Sequence, residues 1–140
     1  MTTKILRFIF ICLAIIPCVA YADTLLVTVN GMKAGEGNLR IAVFDEAHRD
    51  EFPDGDYLSG VEVAATEEQM TIEISDLDQG DYAVAIIQDL DENGELNKNF
   101  LGIPKEPYGF SGKWKSGGSS FDKALFNTDE VGFAITITLK

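Results

Sequence analysis

Apolar and polar residues alternate along most of the chain after residue 22. This period of two residues is typical of β-strands that bury one face. No segment carries apolar residues at the 3.6-residue spacing of an amphipathic helix over more than two turns. The segments that indicate strands are residues 24–30, 38–45, 61–65, 69–75, 81–89 and 132–140.

Short strands separated by turn residues predict an all-β fold, and we expect an antiparallel Greek-key β-sandwich of about seven strands. Residues 23–140 form a single domain in this interpretation, because so short a chain has room for only one core. Two connections are long: residues 46–60, which are acidic, and residues 90 to about 120. The second is an irregular loop rich in glycine, proline and aromatic residues. Loops longer than about 12–15 residues are uncommon in compact domains and are often functional.

The segment before the first strand has the pattern of a secretory signal peptide. Lys4 and Arg7 form a positive start, residues 8–16 are apolar, and residues 20–22 read Ala-Tyr-Ala. This pattern predicts a signal peptide over residues 1–22 with cleavage before Asp23. The exported protein is then periplasmic or secreted.

Two other interpretations of this segment stay open. An uncleaved membrane anchor is one, although the apolar run of nine residues is short of the roughly 20 that a spanning helix needs. A lipoprotein acylated at Cys18 is the other, although Pro17 stands where such sites have a small residue. If cleavage occurs, Cys12 and Cys18 are removed, and the mature chain contains no cysteine.

The charge of the chain restricts its partners. It has 140 residues, with 11 Lys and Arg against 23 Asp and Glu, and a net charge of −12. Loss of Lys4 and Arg7 with the signal segment leaves 9 basic residues and a net charge of −14. Such acidity argues against nucleic acid and anionic lipid as partners, and we expect no stable membrane insertion after cleavage. Cations, neutral glycans and basic protein surfaces remain.

Residues 89–97 have the spacing of a calcium-binding loop. Asp89, Asp91 and Asn93 take positions 1, 3 and 5, a glycine follows at the sharp turn, and Glu95 offers a carbonyl oxygen at position 7. Asn97 is a further ligand, through its side chain or a water. Hard oxygen ligands at alternate positions converge on one cation, so Ca²⁺ is the candidate cofactor.

One position departs from this pattern. Position 12 is Phe100, where a bidentate carboxylate belongs. A cation there needs another ligand, for which Asn99, Glu106 and the acids of residues 46–60 are candidates, and its affinity should be lower than in a sensor site. The alternative is a solvated Asn-Gly turn held by side-chain hydrogen bonds, which is a common structure.

Several motifs resemble known families. Leu77, Gly80 and Tyr82 form an L-x-x-G-x-Y corner, in which we expect the glycine to take a conformation costly for other residues. This layout resembles transthyretin-like and carboxypeptidase-regulatory-like sandwiches. With residues 89–97, 102–111 (GIPKEPYGFS) and 120–126 (SFDKALF), the chain resembles the DUF2141 family of exported bacterial proteins.

The resemblance implies the fold and export but no activity, because that family has none established. Its form of the loop tends to have Asp where this chain has Asn97, so the resemblance gives the metal prediction little support.

The aromatic residues of the long loop are candidate contacts. Tyr108 and Trp114 are the residues that we expect to contact a ligand, whereas Phe110 and Phe121 are expected to fold over the sandwich as a lid. No catalytic residue is predicted, because the single histidine, His48, has no partner residues at a spacing typical of a catalytic or metal site.

The sequence therefore favours a non-catalytic binding or accessory module, with a glycan or an envelope protein as its partner. One alternative is a purely structural envelope protein without metal. A second is a small hydrolase that pairs Glu106 with an acid of residues 45–56.

Overall fold

The computed structural model describes residues 23–115 and 117–140, so the predicted signal segment lies outside the described residues. These residues form eight strands, two short α-helices and a 3₁₀ helix, Glu46–Glu51. The strands are β1 (Asp23–Asn30), β2 (Asn38–Phe44), β3 (Ser59–Ala64), β4 (Gln69–Leu77), β5 (Asp81–Asp89), β6 (Tyr108–Phe110), β7 (Phe126–Asn127) and β8 (Ala134–Thr138). The α-helices are α1 (Phe121–Ala124) and α2 (Thr128–Val131).

The strands form two sheets, which confirms the predicted β-sandwich. One sheet has the order β4-β1-β8, and the other has the order β3-β2-β5-β6, with β7 paired to β5. Strands β1 to β4 form a Greek key folded across the two sheets, since β4 pairs with β1 and β3 pairs with β2, both antiparallel. Six of the strands lie where the sequence predicts them. The short strands β6 and β7 were not predicted, because three and two residues show no periodicity.

One strand pair departs from the antiparallel arrangement. Strand β8 runs parallel to β1, with Leu26 opposite Ala134 and Asn30 opposite Thr138. The preceding segment explains the direction. The backbone N–H of Thr128 in α2 donates to the carbonyl of Gly80 at 3.0 Å. Gly80 lies in the turn that follows β4, and the end of β4 is beside the start of β1. The chain therefore enters β8 at the end of the sandwich where β1 begins.

Alternating side chains of the two sheets fill the main core, as the sequence pattern predicts. The inward residues of β1 are completely buried, and β2 and β5 contribute the same alternation from the opposite sheet. Burial of each such aliphatic side chain contributes about 1.5–3 kcal/mol. The inward residues of these three strands are Leu25, Val27, Val29, Leu39, Ile41, Val43, Tyr82, Val84 and Ile86.

The corner before β5 forms as predicted except for its glycine. The Tyr82 hydroxyl donates to the backbone carbonyl of Asp78 at 2.9 Å, and Leu77 is buried beneath it. The residue with positive φ is Asp76, at 64°, and not Gly80. A Cβ on Gly80 would meet only Tyr82, at an ordinary contact distance of 3.9 Å. The expectation of a costly conformation at Gly80 is therefore wrong.

A second apolar cluster covers part of the outer face of the β3-β2-β5-β6 sheet. Phe44 and Phe121 are buried there with the outward alanines of β5, and Phe52 packs edge-on against Phe44 with ring centroids 5.1 Å apart. The predicted lid role of Phe121 is consistent with this packing. Among the described residues no such cluster covers the rest of that outer face, which borders the loop that follows β5.

Candidate functional site

Asp89 ends β5 and organises the turn that follows it. Its side chain is only 1% exposed. Oδ1 accepts the backbone N–H of Asn93 at 3.1 Å, and Oδ2 accepts that of Gly94 at 2.7 Å. Gly94 has φ of 86°, and a Cβ there would lie 2.9 Å from Nη1 of Arg40. The backbone conformation therefore favours glycine at the sharp turn, and a Cβ there would in addition displace the end of the Arg40 side chain.

Glu106 holds the same segment at two points, next to Asp89 and at Asn97. It is 5% exposed, and its Oε1 and Oε2 accept the backbone N–H groups of Leu90 and Asn97, each at 2.8 Å. We call residues 89–106 the carboxylate loop. Hydrogen bonds from N–H groups to an ionised carboxylate are shorter and stronger than those between neutral groups, so these bonds hold the loop closed without a covalent link.

The loop brings three carboxylates together. Asp89, Asp91 and Glu106 each place one oxygen so that all three lie within 4.8 Å of one another. We call this group the carboxylate triad. Oxygens so close can share one hard cation, which would also offset their mutual repulsion. Position 12 of the calcium-loop pattern lacks a carboxylate in this chain. Glu106, one of the candidates that the sequence offers for the missing ligand, is the third acid of the triad.

The other predicted ligands lie beside the triad rather than in it. Asn93 and Asn97 both donate from their side-chain amides to Oδ2 of Asp91, at 3.2 and 2.7 Å. Oδ1 of Asn93 accepts the backbone N–H of Glu95 at 2.8 Å, as in a side-chain-capped turn. The Glu95 side chain is exposed. In this structure the side-chain amides of Asn93 and Asn97 are donors to the Asp91 carboxylate, and their role as metal ligands stays a prediction.

Residues 99–103 form a hydrogen-bonded turn with an apolar tip. Oδ1 of Asn99 accepts the backbone N–H groups of Leu101 and Ile103, at 2.9 and 3.0 Å. Phe100, the residue at position 12, is 96% exposed. Asn99 is therefore engaged in its own turn, which leaves Glu106 as the residue of this loop that completes the triad.

The open part of the outer sheet face lies next to the carboxylate loop. Strand register aligns Gly60, Ala42, Ala85 and Phe110 in one row across four strands. The next row is formed by Glu62, Arg40, Ile87 and Tyr108. A cleft of about 750 Å³ lies over these two rows, and we call it the sheet-face trough.

Loops at both ends of the strands form the walls of the trough. Pro53, Asp54 and Tyr57 stand on one side, and Leu96 and Pro104 of the carboxylate loop stand on the other. The two candidate features therefore share one structural element, because the loop that carries the triad also supplies a wall of the trough.

Arg40 connects the trough to the triad. Its Nη1 lies 3.6 Å from Oε2 of Glu62 and 3.8 Å from Oδ2 of Asp89. The Arg40 side chain is 35% exposed, and that of Glu62 is 49% exposed. The guanidinium thus places part of its charge beside the buried Asp89 while it remains accessible from the trough.

The two predicted contact residues lie in one aromatic group, at different places on it. Tyr108 lines the trough, half-buried, with its ring centroid 5.6 Å from that of Trp114. Trp114 packs edge-on against Phe110 at 4.9 Å, and Nζ of Lys140 lies 4.9 Å from the Trp114 ring centroid. Trp114 therefore supports the rings from outside the trough, where it borders a smaller recess.

The acidic segment around His48 forms a local cap rather than part of the triad. Nδ1 of His48 lies 2.6 Å from Oδ1 of Asp45, which also accepts the backbone N–H of His48 and so caps the 3₁₀ helix. The hydrogen bond from the His48 side chain lowers the pKa of the Asp45 carboxyl below its ordinary value of 3.8, against the opposing effect of burial. The hydrolase pairing of Glu106 with an acid of residues 45–56 stays a prediction.

Sequence reasoning missed the floor of the trough. Ala42 and Ala85 occupy outward positions of two strands, where a solvated face would carry polar residues. Small apolar residues at outward positions indicate that the sheet face is covered by another segment or forms a groove, and the prediction from sequence did not use this pattern. The wall residue Tyr57 gave no signal, because it lies in a segment without periodicity.

These features define a small β-sandwich with a carboxylate-rich loop beside an open sheet face. The chain belongs to the family described as "Uncharacterized protein conserved in bacteria (DUF2141)", whose model matches residues 27–135. The match extends from β1 into β8, includes the carboxylate loop, and confirms the resemblance found in the sequence. No curated protein and no solved structure matches the chain. Within the described part of the chain, no helix has the length and hydropathy required to cross a bilayer.

Proposed function

We propose that the protein is an exported, non-catalytic binding module, periplasmic or secreted, whose carboxylate loop is ordered by Ca²⁺. In this proposal residues 1–22 are removed on export, and the ordered loop holds a contact surface for a glycan or an envelope protein. The observation that carries the proposal is the convergence of Asp89, Asp91 and Glu106 within 4.8 Å. Two of the three are almost completely buried.

The triad supports a cation for an electrostatic reason. Burial removes water that would otherwise screen the negative charges of the triad. Arg40 compensates only one of these charges, since its Nη1 lies 3.8 Å from Oδ2 of Asp89. A divalent cation bound to the native state would stabilise it by mass action. With three carboxylates and without the bidentate acid of a sensor loop, we expect an affinity for Ca²⁺ below that of sensor sites.

The test compares two single-charge variants of the same loop. Asp91→Asn removes a triad carboxylate that is exposed, and Glu92→Gln removes the neighbouring exposed carboxylate outside the triad. For residues 23–140 we expect calorimetry to detect Ca²⁺ binding and chelator to lower the melting temperature. Asp91→Asn should abolish both effects and Glu92→Gln should keep them. Absence of binding together with a melting temperature unchanged by chelator would overturn the calcium proposal.

A purely structural module without metal is the second candidate, and one observation favours it. All four carboxylate oxygens of Asp89 and Glu106 already accept backbone N–H groups, so the loop is hydrogen-bonded without an ion. In that case Asp89→Ala lowers stability equally in Ca²⁺ and in chelator. In the calcium proposal the loss of stability is larger when Ca²⁺ is present.

Export has its own test. Expression of the full chain in a bacterial host, followed by mass spectrometry of the envelope and soluble fractions, should give a mature protein that begins at Asp23. A mass that retains residues 1–22, or one increased by acyl chains at Cys18, would favour the anchored alternatives.

A further inference from the structure

We infer that the sheet-face trough binds a neutral oligosaccharide that lies across the strands. This inference deepens the proposed function, since it rests on the protein being a binding module and names the ligand class and its place. It does not require the cation.

The shape of the trough suits an extended chain of rings. Its floor is made by Gly60, Ala42 and the accessible edge of Ala85, which is 7% exposed because the second apolar cluster packs against it. The three are cross-strand neighbours and reach no further than Cβ. Small residues in one row leave a channel across the sheet, while the loops at both strand ends raise its walls. Its volume of about 750 Å³ lies within the roughly 300–1,000 Å³ usual for ligand sites.

Aromatic rings stand at both ends of this channel. Tyr57, which is 50% exposed, lies over Gly60, where a Cβ would come within 2.7 Å of its ring. Tyr108 and Phe110 stand at the β6 end, with ring centroids 5.8 Å apart. Tyrosine combines an apolar face with a polar hydroxyl, so it can pack against the C–H face of a sugar ring and also bind its hydroxyl groups.

The charges in the channel favour a neutral ligand. Arg40 and Glu62 lie side by side on the floor, and Arg40 also lies 3.8 Å from the buried Asp89, so the floor carries no excess positive charge. Arg40 offers hydrogen-bond donors and Glu62 offers acceptors beside them. Sugar hydroxyl groups both donate and accept, so two neighbouring hydroxyls can bind this pair. Around the trough the three acids Asp54, Glu62 and Glu95 outnumber the bases Arg40 and Lys98, so an anionic ligand would meet excess negative charge, on a chain of net negative charge.

A peptide fits this face less well. The backbone N–H and C=O groups beneath the trough belong to ladders of β2 with β3 and β5, so a peptide main chain on the face finds no backbone partners there. Peptides that use backbone pairing add to a sheet edge instead. A sugar chain needs no strand pairing, because its hydroxyl groups can bind side chains such as those of Arg40 and Glu62.

The test measures binding of residues 23–140 to tetra- to hexasaccharides of glucose, mannose, galactose, xylose and N-acetylglucosamine, in Ca²⁺ and in chelator. Oligogalacturonate and a basic hexapeptide serve as the competing ligand classes. We expect binding to at least one neutral oligosaccharide, with NMR shift changes at Ala42 and Ala85. Tyr57→Ala and Tyr108→Ala should each weaken it by about tenfold, which is 1.4 kcal/mol.

The matched control is Phe100→Ala, which removes an exposed ring that is absent from the trough lining and should leave affinity unchanged. Binding of no neutral oligosaccharide, preference for the anionic or peptide ligand, or shift changes away from the trough would overturn the inference. The NMR result is obtained on the unmodified chain, so it decides the matter even if a variant is unstable. Neutral-sugar binding that persists in chelator while calorimetry detects no Ca²⁺ would uphold this inference and refute the calcium proposal.

Discussion

Asp89 and Glu106 stand at opposite ends of one loop and hold the same segment of it by the same kind of bond, since each buried carboxylate accepts two backbone N–H groups. The four N–H groups belong to Leu90, Asn93, Gly94 and Asn97, so residues 90–97, which lie outside the strands, are fixed in this way. The two carboxylates also lie close to each other and to Asp91. The bonds that shape the loop therefore also create a concentration of negative charge.

The first prediction concerns Glu106→Gln. The amide keeps the side-chain shape but loses one acceptor oxygen and the charge, so one backbone N–H is left unpaired, at a cost of about 1–3 kcal/mol. In chelator, relief of repulsion within the triad offsets part of this cost. In Ca²⁺ the variant also loses a ligand, so the destabilisation should be larger there. Urea unfolding in both conditions measures the difference, and equal loss in the two would contradict a cation at the triad.

A second prediction concerns Tyr82 at high pH. Burial, more than the nearby acids Asp78 and Asp45, raises the pKa of its phenol above the ordinary 10.0. The folded state therefore favours the neutral phenol, and this stabilisation is complete below pH 10 and is lost as the pH rises through the raised pKa. Tyr82→Phe should lose about 0.5–1.5 kcal/mol at neutral pH, because its bond to Asp78 is gone. Its unfolding midpoint should then fall less than that of the unmodified chain between about pH 8 and pH 11.

Acid tests a third relationship, between Asp45 and His48. Because the pKa of Asp45 is lowered in the folded state, its contribution to stability is present above 3.8 and is lost as the pH falls below that value through the folded pKa. Asp45→Asn keeps an oxygen that can cap the 3₁₀ helix but cannot ionise. We expect its stability to decline less steeply below about pH 4. If the stability of the unmodified chain and that of Asp45→Asn fall in parallel with pH, the lowered pKa of Asp45 does not stabilise the fold.

Features that depend on neighbouring residues could be predicted from the sequence, whereas features that depend on residues far apart in the chain could not. Alternation along β1 or β5 is local, and the structure confirms both strands. The D-x-D-x-N-G spacing is local too; a sharp turn forms at its glycine, and the calcium site that it predicts stays a prediction. The partnership of Asp89 with Glu106 joins residues 17 positions apart across an irregular loop, and sequence could offer Glu106 only as one candidate. The trough depends on the register of four strands, which places Gly60 beside Ala42, and no single segment contains that information.

The last prediction uses two glycines of the loop between β1 and β2. Gly37 and Gly35 both have positive φ, 60° and 77°, so alanine at either one is strained by the backbone. Their surroundings differ. A Cβ on Gly37 would overlap the carbonyl oxygen of Asp89 and lie 2.7 Å from Cα of Leu90, whereas a Cβ on Gly35 would meet no atom within 4 Å.

Gly35→Ala should therefore show the backbone cost alone, about 1–3 kcal/mol. Gly37→Ala should cost more, because the backbone of Asp89 must also move, and this movement displaces the buried carboxylate that begins the loop. Urea unfolding compares the two stabilities, and NMR of the amides of Asn93 and Gly94 reports the Asp89 bonds directly. If both variants lose the same stability and keep those amide signals in place, the contact between Gly37 and Asp89 does not position the loop.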